Sequence, residues 1–203
     1  MNSPRIIGVY LGAGRSRRMG QNKLELPFGE LCLGSWGLRA AIESELDWII
    51  AVTRKGDGLQ WLAPFSKKKG WGCLCCEKAD EGQSASLKAG VKAAMVMGAD
   101  AVVVMLADQP FVDCLLLNRL VKGFRESSDR AFVAAALQPP VLLANKMVAD
   151  VFRLEGDRGA GCLLRGKWRK QGKVIGLRDR LCLLDIDTVE EYEIYRGEGW
   201  MCE

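Results

Sequence analysis

The chain has 203 residues, of which 49% are apolar and 27% charged, and its formal net charge is +4. This composition excludes disordered and collagen-like proteins, and the length fits one domain over residues 1–203. The chain has no histidine, which excludes histidine-based nucleophilic sites, His-ligated zinc and a histidine general base. The small positive charge does not indicate a nucleic-acid partner, and we expect none.

Apolar β-branched runs alternate with segments of helical spacing along the chain. The predicted strands are Ile6–Leu11, Trp48–Thr53, Trp71–Cys76, Ala101–Leu106, Ala131–Ala136, Val141–Leu143 and Leu181–Ile186. The predicted helices are Leu33–Leu46, Gln83–Met97, Val112–Phe124, two short stretches that flank Gly156–Gly159, and a last helix after Ile186. This alternation predicts a single-domain α/β fold with a mostly parallel sheet and helices on both faces.

The sequence also bears on where the protein works. Its longest strongly apolar stretch, Ala99–Ala107, is interrupted by Asp100 and is far short of the ~20 residues that span a bilayer. The first residues do not have the pattern of a secretory signal. We therefore expect a cytoplasmic protein with reduced thiols and no membrane partner.

The loop after the first predicted strand, from Leu11 to Lys23, combines glycines with three arginines, a serine and a lysine. Glycines allow backbone N–H groups to approach an anion, and cationic side chains neutralise phosphate charge. The loop fits neither a Walker A motif nor a dinucleotide fingerprint, because Arg17 stands where the third glycine of the fingerprint belongs. The pattern favours a polyphosphate site over a solvated basic turn.

The segment LGAGRSRRMGQNK resembles the signature loop of the MobA-like nucleotidyltransferases, L-A-A-G-x-S-x-R-M-G-x-x-K. The resemblance continues in the family's order and spacing at Gly82–Leu87, Ala107–Pro110, Pro140–Leu143, Gly156–Ala160 and Asp185–Thr188. Within that family, the chain looks most similar to the molybdenum cofactor cytidylyltransferases, a group that includes a purine-catabolism member.

The resemblance implies a Rossmann-like nucleotidyltransferase fold and transfer of CMP from CTP to a molybdopterin cofactor, with release of pyrophosphate and Mg²⁺ as cofactor. A molybdenum hydroxylase such as xanthine dehydrogenase would receive the product. A phosphate nucleophile is already ionised at neutral pH, so this reaction needs no general base. A protein without histidine can therefore catalyse it.

The family's roles can be carried over by position. Arg17, Lys23 and Asp108 are the implied catalytic residues, and Asp108 and Asp187 the implied Mg²⁺ ligands, with Asp185 as the alternative to Asp187. The implied nucleotide-binding residues are Leu11, Gly12, Ala13, Gly14, Ser16, Arg17, Arg18, Lys23, Ser84 and Ser86. Both serines also suit a helix cap. Asp157, Arg158 and Gly159 are assigned to the pterin substrate, and Thr188 and Glu191 form a T-x-x-E capping box beside Asp187.

Departures from the family pattern leave alternatives open. Gly12 stands where the cytidylyltransferases usually have alanine, which leaves GTP as an alternative to CTP, and Pro140 stands where many relatives have histidine. Cys73, Cys75 and Cys76 lack a second cysteine pair at zinc spacing, so we interpret them as ordinary thiols. The other candidates are a sugar-phosphate nucleotidyltransferase and a binding protein that carries the cofactor without turnover.

Overall fold

The computed structural model of the chain describes residues 3–127, 129–177 and 179–197, and only the backbone of Arg17. Its centre is a seven-stranded sheet made of β1 (Ile6–Leu11), β4 (Trp48–Arg54), β5 (Trp71–Cys76), β6 (Ala101–Leu106), β7 (Phe132–Ala136), β8 (Gln138–Ala144) and β9 (Lys173–Val174). Across the sheet these strands follow the order β5-β4-β1-β6-β8-β7-β9. Strands β5, β4, β1 and β6 are mutually parallel, whereas β8 is antiparallel to both neighbours. The predicted mostly parallel α/β sheet is confirmed.

Helices cover both faces of the sheet, as predicted, because alternate residues of each strand point to opposite sides. The helices are α1 (Leu33–Ile42), α2 (Gln83–Val96), α3 (Cys114–Arg125), α4 (Val148–Val151) and α5 (Val189–Tyr195). On β1, Ile6 and Tyr10 join the core under α1 and α3, whereas Val9 joins the core under α2. Helix α2 lies very close to the sheet, since a Cβ at Gly90 would stand 2.4 Å from Cγ1 of Val9.

One predicted strand is wrong. Leu181–Ile186 contains a 3-10 turn at Leu181–Leu183, and the rest of the segment does not pair with any strand of the sheet. This segment crosses the carboxyl end of β6, where the Ile186 N–H donates to the carbonyl of Asp108 at 2.9 Å. Ile186 is fully buried there. Its apolar run is therefore explained by core packing across the end of a strand, which periodicity alone does not distinguish from strand pairing.

Other differences concern boundaries and short elements. Helix α1 ends four residues before the predicted Leu46, and α3 begins after Asp113, whose side chain accepts from the N–H of Leu116. The small hairpin of β2 (Pro27–Phe28) and β3 (Leu31–Cys32) and the two-residue β9 were not predicted. Strands this short have too few residues for a periodic signal.

Candidate active site

A cleft of about 430 Å³ opens at the carboxyl ends of β1 and β6, the edge at which parallel α/β sheets bind ligands. Its walls come from the loops after β1, β5 and β6, the start of α2 and the segment before α5. The predicted site residues that line it are Leu11, Gly12, Ala13, Gly14, Ser16, Arg18, Lys23, Ser86, Asp108, Asp157 and Asp187. The side chain of Arg17, also predicted here, lies outside the described residues.

Lys23 contacts two walls of this cleft, the loop after β6 and the segment before α5. Its Nζ donates to Oδ2 of Asp108 at 2.7 Å, to Oδ1 of Asp187 at 2.7 Å and to the carbonyl of Ile186 at 2.9 Å. The lysine is 7% exposed. Burial lowers the pKa of Lys23, but the charges and hydrogen bonds of both aspartates outweigh it and raise the pKa above its ordinary value.

Backbone contacts bring the two aspartates together across almost eighty residues of sequence. Asp108 follows β6 directly, and the hydrogen bond from Ile186 to its carbonyl places Asp187 beside it. The predicted capping box is present: Thr188 Oγ1 accepts from the N–H of Glu191, and Glu191 accepts from the N–H groups of Thr188 and Asp187. Burial raises the pKa of Asp187, but Lys23 and then Arg18 outweigh it and lower the pKa.

Asp185, the alternative partner, takes a different position. It does not line the cleft, and its Oδ1 is buried without a hydrogen-bond partner in the described part of the chain. Burial, followed by the negative charge of Asp108, raises the pKa of Asp185 to about 6. The convergence on Lys23 therefore involves Asp187 and not Asp185.

The glycine-rich loop is closed by Ser16. Its Oγ accepts from the backbone N–H of Lys23 at 3.2 Å, and its φ of 45° lies in the left-handed region that non-glycine residues rarely adopt. Such strained positions concentrate at functional sites. The serine thus links the middle of the loop to the lysine that ends it.

The remaining predicted residues lie around the start of α2. Ser84 is buried and does not line the cleft, whereas Ser86 does. The capping alternative for both is wrong, because the N-cap is Gly82 and no side chain caps the helix. The Gly156–Gly159 loop packs here, where a Cβ at Gly82 would stand 2.4 Å from the carbonyl carbon of Gly156. Asp157 lines the cleft, but Arg158 and Gly159 do not.

Sequence reasoning missed an ion-pair group at the mouth of the cleft. Oδ1 of Asp80 accepts from Nε of Arg15 and from Nη2 of Arg54, both at 2.8 Å. Arg54 ends β4, and Asp80 lies in the loop between β5 and α2. The sequence does hold a signal for this group, because both residues lie at or after the ends of predicted parallel strands. Residues at such positions meet at one edge of the sheet.

The donors at the cleft suit Mg²⁺. Carboxylate oxygens are its preferred protein ligands, and the Asp108 and Asp187 oxygens converge on one cationic position. Oδ1 of Asp108 is buried and has no partner among the described residues. These residues include no group of three or more acidic or thiol side chains able to hold a metal, so a bound triphosphate would have to complete the shell. Cys73 and Cys75 are exposed on β5 and Cys76 is buried.

Comparison with known proteins agrees with this architecture. The model of the MobA-like NTP transferase domain matches residues 8–174. The purine catabolism protein PucB of Bacillus subtilis (strain 168) is 40% identical to this chain, and the match covers 97% of this chain and 98% of PucB. The chain belongs to the MobA-like NTP transferase family. Within this nucleotidyltransferase family it is close to PucB.

Solved structures share the fold of this MobA-like protein. Rv0371c of Mycobacterium tuberculosis H37Rv superposes with a TM-score of 0.80 at 24% identity, over 98% of this chain and 100% of that one. Rv0371c has also been solved in complex with manganese. Molybdopterin-guanine dinucleotide biosynthesis protein A of Archaeoglobus fulgidus has a TM-score of 0.66 at 19% identity, over 94% and 96% of the two chains. None of the described helices is long and apolar enough to traverse a bilayer.

Proposed function

We propose that this MobA-like protein transfers CMP from CTP to the terminal phosphate of a molybdopterin cofactor and releases pyrophosphate. The observation that carries the proposal is the convergence of Lys23, Asp108 and Asp187 in a glycine-rich cleft at the carboxyl edge of the sheet. The fold shared with a molybdopterin-guanine dinucleotide biosynthesis protein supports the class of acceptor, and the kinship with PucB supports a role in purine catabolism. The segment Ala13–Ser16 supports CTP as donor.

In this reaction an oxygen of the acceptor phosphate attacks the α-phosphorus of CTP, and the bond from that phosphorus to the pyrophosphate oxygen breaks. The acceptor is already ionised, so this chain's residues need only bring two anions together and stabilise the charge on the leaving group. Backbone N–H groups of Ala13 and Gly14 approach the nucleotide, whereas the N–H of Gly12 donates to the carbonyl of Val52 at 2.8 Å. Lys23 and Arg18 neutralise phosphate charge, and Lys23 stabilises the negative charge of the leaving pyrophosphate.

Mg²⁺ is proposed as the cofactor, held by Asp108 and Asp187. When bound, it would neutralise charge on the α-phosphate and the leaving group as a Lewis acid. Such a cation suits the cleft, because its described lining includes five acidic residues, Asp80, Glu81, Asp108, Asp157 and Asp187, against the cationic Arg15, Arg18 and Lys23. The manganese complex of Rv0371c, which shares the fold, is in line with a divalent cation.

We assign binding of the acceptor to the Gly156–Gly159 loop, which packs on the start of α2. Asp157 lines the cleft, and Arg158 lies exposed next to it, where its guanidinium is able to bind an anionic pterin phosphate. The product would then pass to the apo-form of a molybdenum hydroxylase. Through that transfer the reaction would serve purine catabolism.

The deciding experiment is mass spectrometry of the products after incubation with molybdopterin, Mg²⁺ and each of the four ribonucleotides in turn. With CTP, we expect the mass of one cytidylyl group, which is CMP less one water, to be added to the cofactor, together with release of one pyrophosphate. Asp108→Asn serves as the control for background reaction. Addition of GMP alone would replace the proposal with guanylyl transfer, and bound cofactor without pyrophosphate would indicate a carrier. Conversion of a sugar phosphate in place of molybdopterin would identify a sugar-phosphate nucleotidyltransferase.

A further inference from the structure

The hydrogen bonds of Lys23 use the whole capacity of its ammonium group. An ammonium has three N–H donors. Lys23 directs them to Asp108, Asp187 and the carbonyl of Ile186. In this arrangement no donor is left for a phosphate oxygen, so Lys23 must give up at least one partner before it can bind a nucleotide.

The same ammonium stands at the point where the two carboxylates converge. Both oxygens lie 2.7 Å from Nζ, and the lysine side chain is 8% exposed. The Asp108 and Asp187 side chains are only partly buried, at 24% and 38% exposed, but two carboxylates that meet at one point repel each other unless a cation lies between them. Arg18 contacts Asp187 at 3.3 Å from the solvent side, with a side chain that is 71% exposed, so it does not replace Lys23 between the acids.

We propose that the Lys23 ammonium is a resident counter-ion that closes the Asp108–Asp187 pair to free divalent cations until a nucleotide arrives. On arrival, Lys23 exchanges the two carboxylates for phosphate oxygens and vacates the position between the acids. The inference rests on the proposed function, since it takes the cleft to receive a nucleoside triphosphate together with its divalent cation. It adds an order of events, in which the acidic pair accepts metal only with nucleotide.

The physical reason for this order is the cost of leaving Lys23 without a partner. Without nucleotide, a divalent cation between the acids would displace a buried ammonium from both of its ion-pair partners. A triphosphate supplies a replacement anion and brings the metal with it. The exchange then replaces one set of charge-assisted hydrogen bonds with another of similar strength.

The test is binding of Mn²⁺ in the absence of nucleotide, followed by electron paramagnetic resonance of the free ion. We expect weak binding to the unmodified protein and binding tighter by at least about tenfold to Lys23→Met, because the acids lose their counter-ion. Lys23→Arg retains the positive charge and should show no such gain. Adding Asp108→Asn to Lys23→Met should abolish the gain if the metal lies between these acids.

Arg18→Met is the matched control, since it removes a positive charge from the same cleft but leaves the Lys23 hydrogen bonds intact. We expect its Mn²⁺ affinity to change by less than about threefold, as an exposed charge is well screened. An equal gain in Arg18→Met and Lys23→Met would overturn the proposal, because it would show a general effect of charge. Unchanged affinity in a folded Lys23→Met protein would overturn it too.

A second measurement uses the unmodified chain and does not depend on the folding of any variant. The ¹⁵N resonance of the Lys23 ammonium should be observable without ligand, because its protons are hydrogen-bonded and exchange slowly. It should shift when Mg²⁺ and a non-hydrolysable CTP analogue are added together, and not with Mg²⁺ alone. A shift with Mg²⁺ alone would contradict the counter-ion role. Neither measurement involves turnover, so failure here and failure of cytidylyl transfer are separate results.

Discussion

Gly12 lies directly against the indole of Trp61. A Cβ at Gly12 would stand 2.7 Å from Cζ2 and 2.8 Å from Cη2 of that ring, which is fully buried. Trp61 is confined on another side by Gly34, where a Cβ would stand 3.2 Å from Cδ2. The glycine that departs from the cytidylyltransferase pattern is therefore required by core packing beneath the loop. This explanation of Gly12 does not require a nucleotide other than CTP.

Gly12→Ala should lower the free energy of unfolding by about 1–3 kcal/mol, because a methyl group has no room beside a close-packed ring. Denaturant unfolding of the ligand-free protein measures it. The matched control is Gly14→Ala, whose Cβ would meet no atom within 4 Å. Trp61→Phe should offset part of the loss in the double variant. Equal stability of Gly12→Ala and the unmodified chain would show that the ring moves aside at little cost.

CTP should be the preferred donor, since the packing of Trp61 accounts for Gly12 and the rest of the loop resembles that of the cytidylyltransferases. We expect kcat/KM for CTP to exceed that for GTP by at least about tenfold, or roughly 1.4 kcal/mol of transition-state discrimination. Steady-state pyrophosphate release with both nucleotides measures the ratio. A tenfold preference for GTP would reverse this assignment.

Lys23→Ala should lower kcat/KM by at least about a hundredfold, roughly 2.7 kcal/mol, because a charge beside the leaving pyrophosphate is lost. The structure adds a second effect. Asp108 and Asp187 lose their shared cation, so the metal-free protein should lose about 2 kcal/mol of unfolding free energy while remaining folded. Lys92→Ala, at an exposed position on α2, is the control. Near-normal turnover of Lys23→Ala would exclude a phosphate contact.

Asp108→Asn and Asp187→Asn should each abolish most turnover without unfolding the protein, because either change weakens the hold on the metal. The double variant should be scarcely worse than either single one, as residues that serve one ion act as a unit. Glu190→Gln, an exposed acid at the start of α5, controls for charge. Additive losses, or normal Mg²⁺ dependence of Asp187→Asn, would move the second ligand to Asp185.

Asp185 should make stability depend on pH. Its pKa in the folded chain is raised to about 6 by burial and by Asp108, so the folded state retains a proton that the unfolded state releases. The stability linked to that proton is present below the unfolded pKa of about 4 and is lost as the pH rises through 6. From about pH 4.5 to pH 7.5, Asp185→Asn should gain on the order of 1 kcal/mol relative to the unmodified chain. Parallel pH profiles of the two metal-free proteins would contradict this.

Local patterns were sufficient where a segment determines its own structure. The apolar runs of β1 and β6 predicted those strands to the residue, because a buried parallel strand is continuously apolar and ends where glycines or turn residues follow. The bounds of the partly exposed edge strand β5 were also predicted to the residue. The T-x-x-E pattern predicted the cap of α5, since both of its hydrogen bonds lie within four residues. The glycines and cations of the loop between Leu11 and Lys23 predicted a ligand site there, and residues of this loop do line the cleft.

Only the tertiary structure revealed the features that depend on contacts between residues far apart in the sequence. The run Leu181–Ile186 is as apolar as a strand, yet it crosses the end of β6 because its partner is the carbonyl of Asp108 and not a neighbouring strand. The ammonium of Lys23 meets two acids that follow it by 85 and 164 positions. Gly12 is required by a tryptophan 49 positions later in the chain (61 − 12). Such contacts arise only when the sheet aligns its strand ends, so no local spacing of residues encodes them.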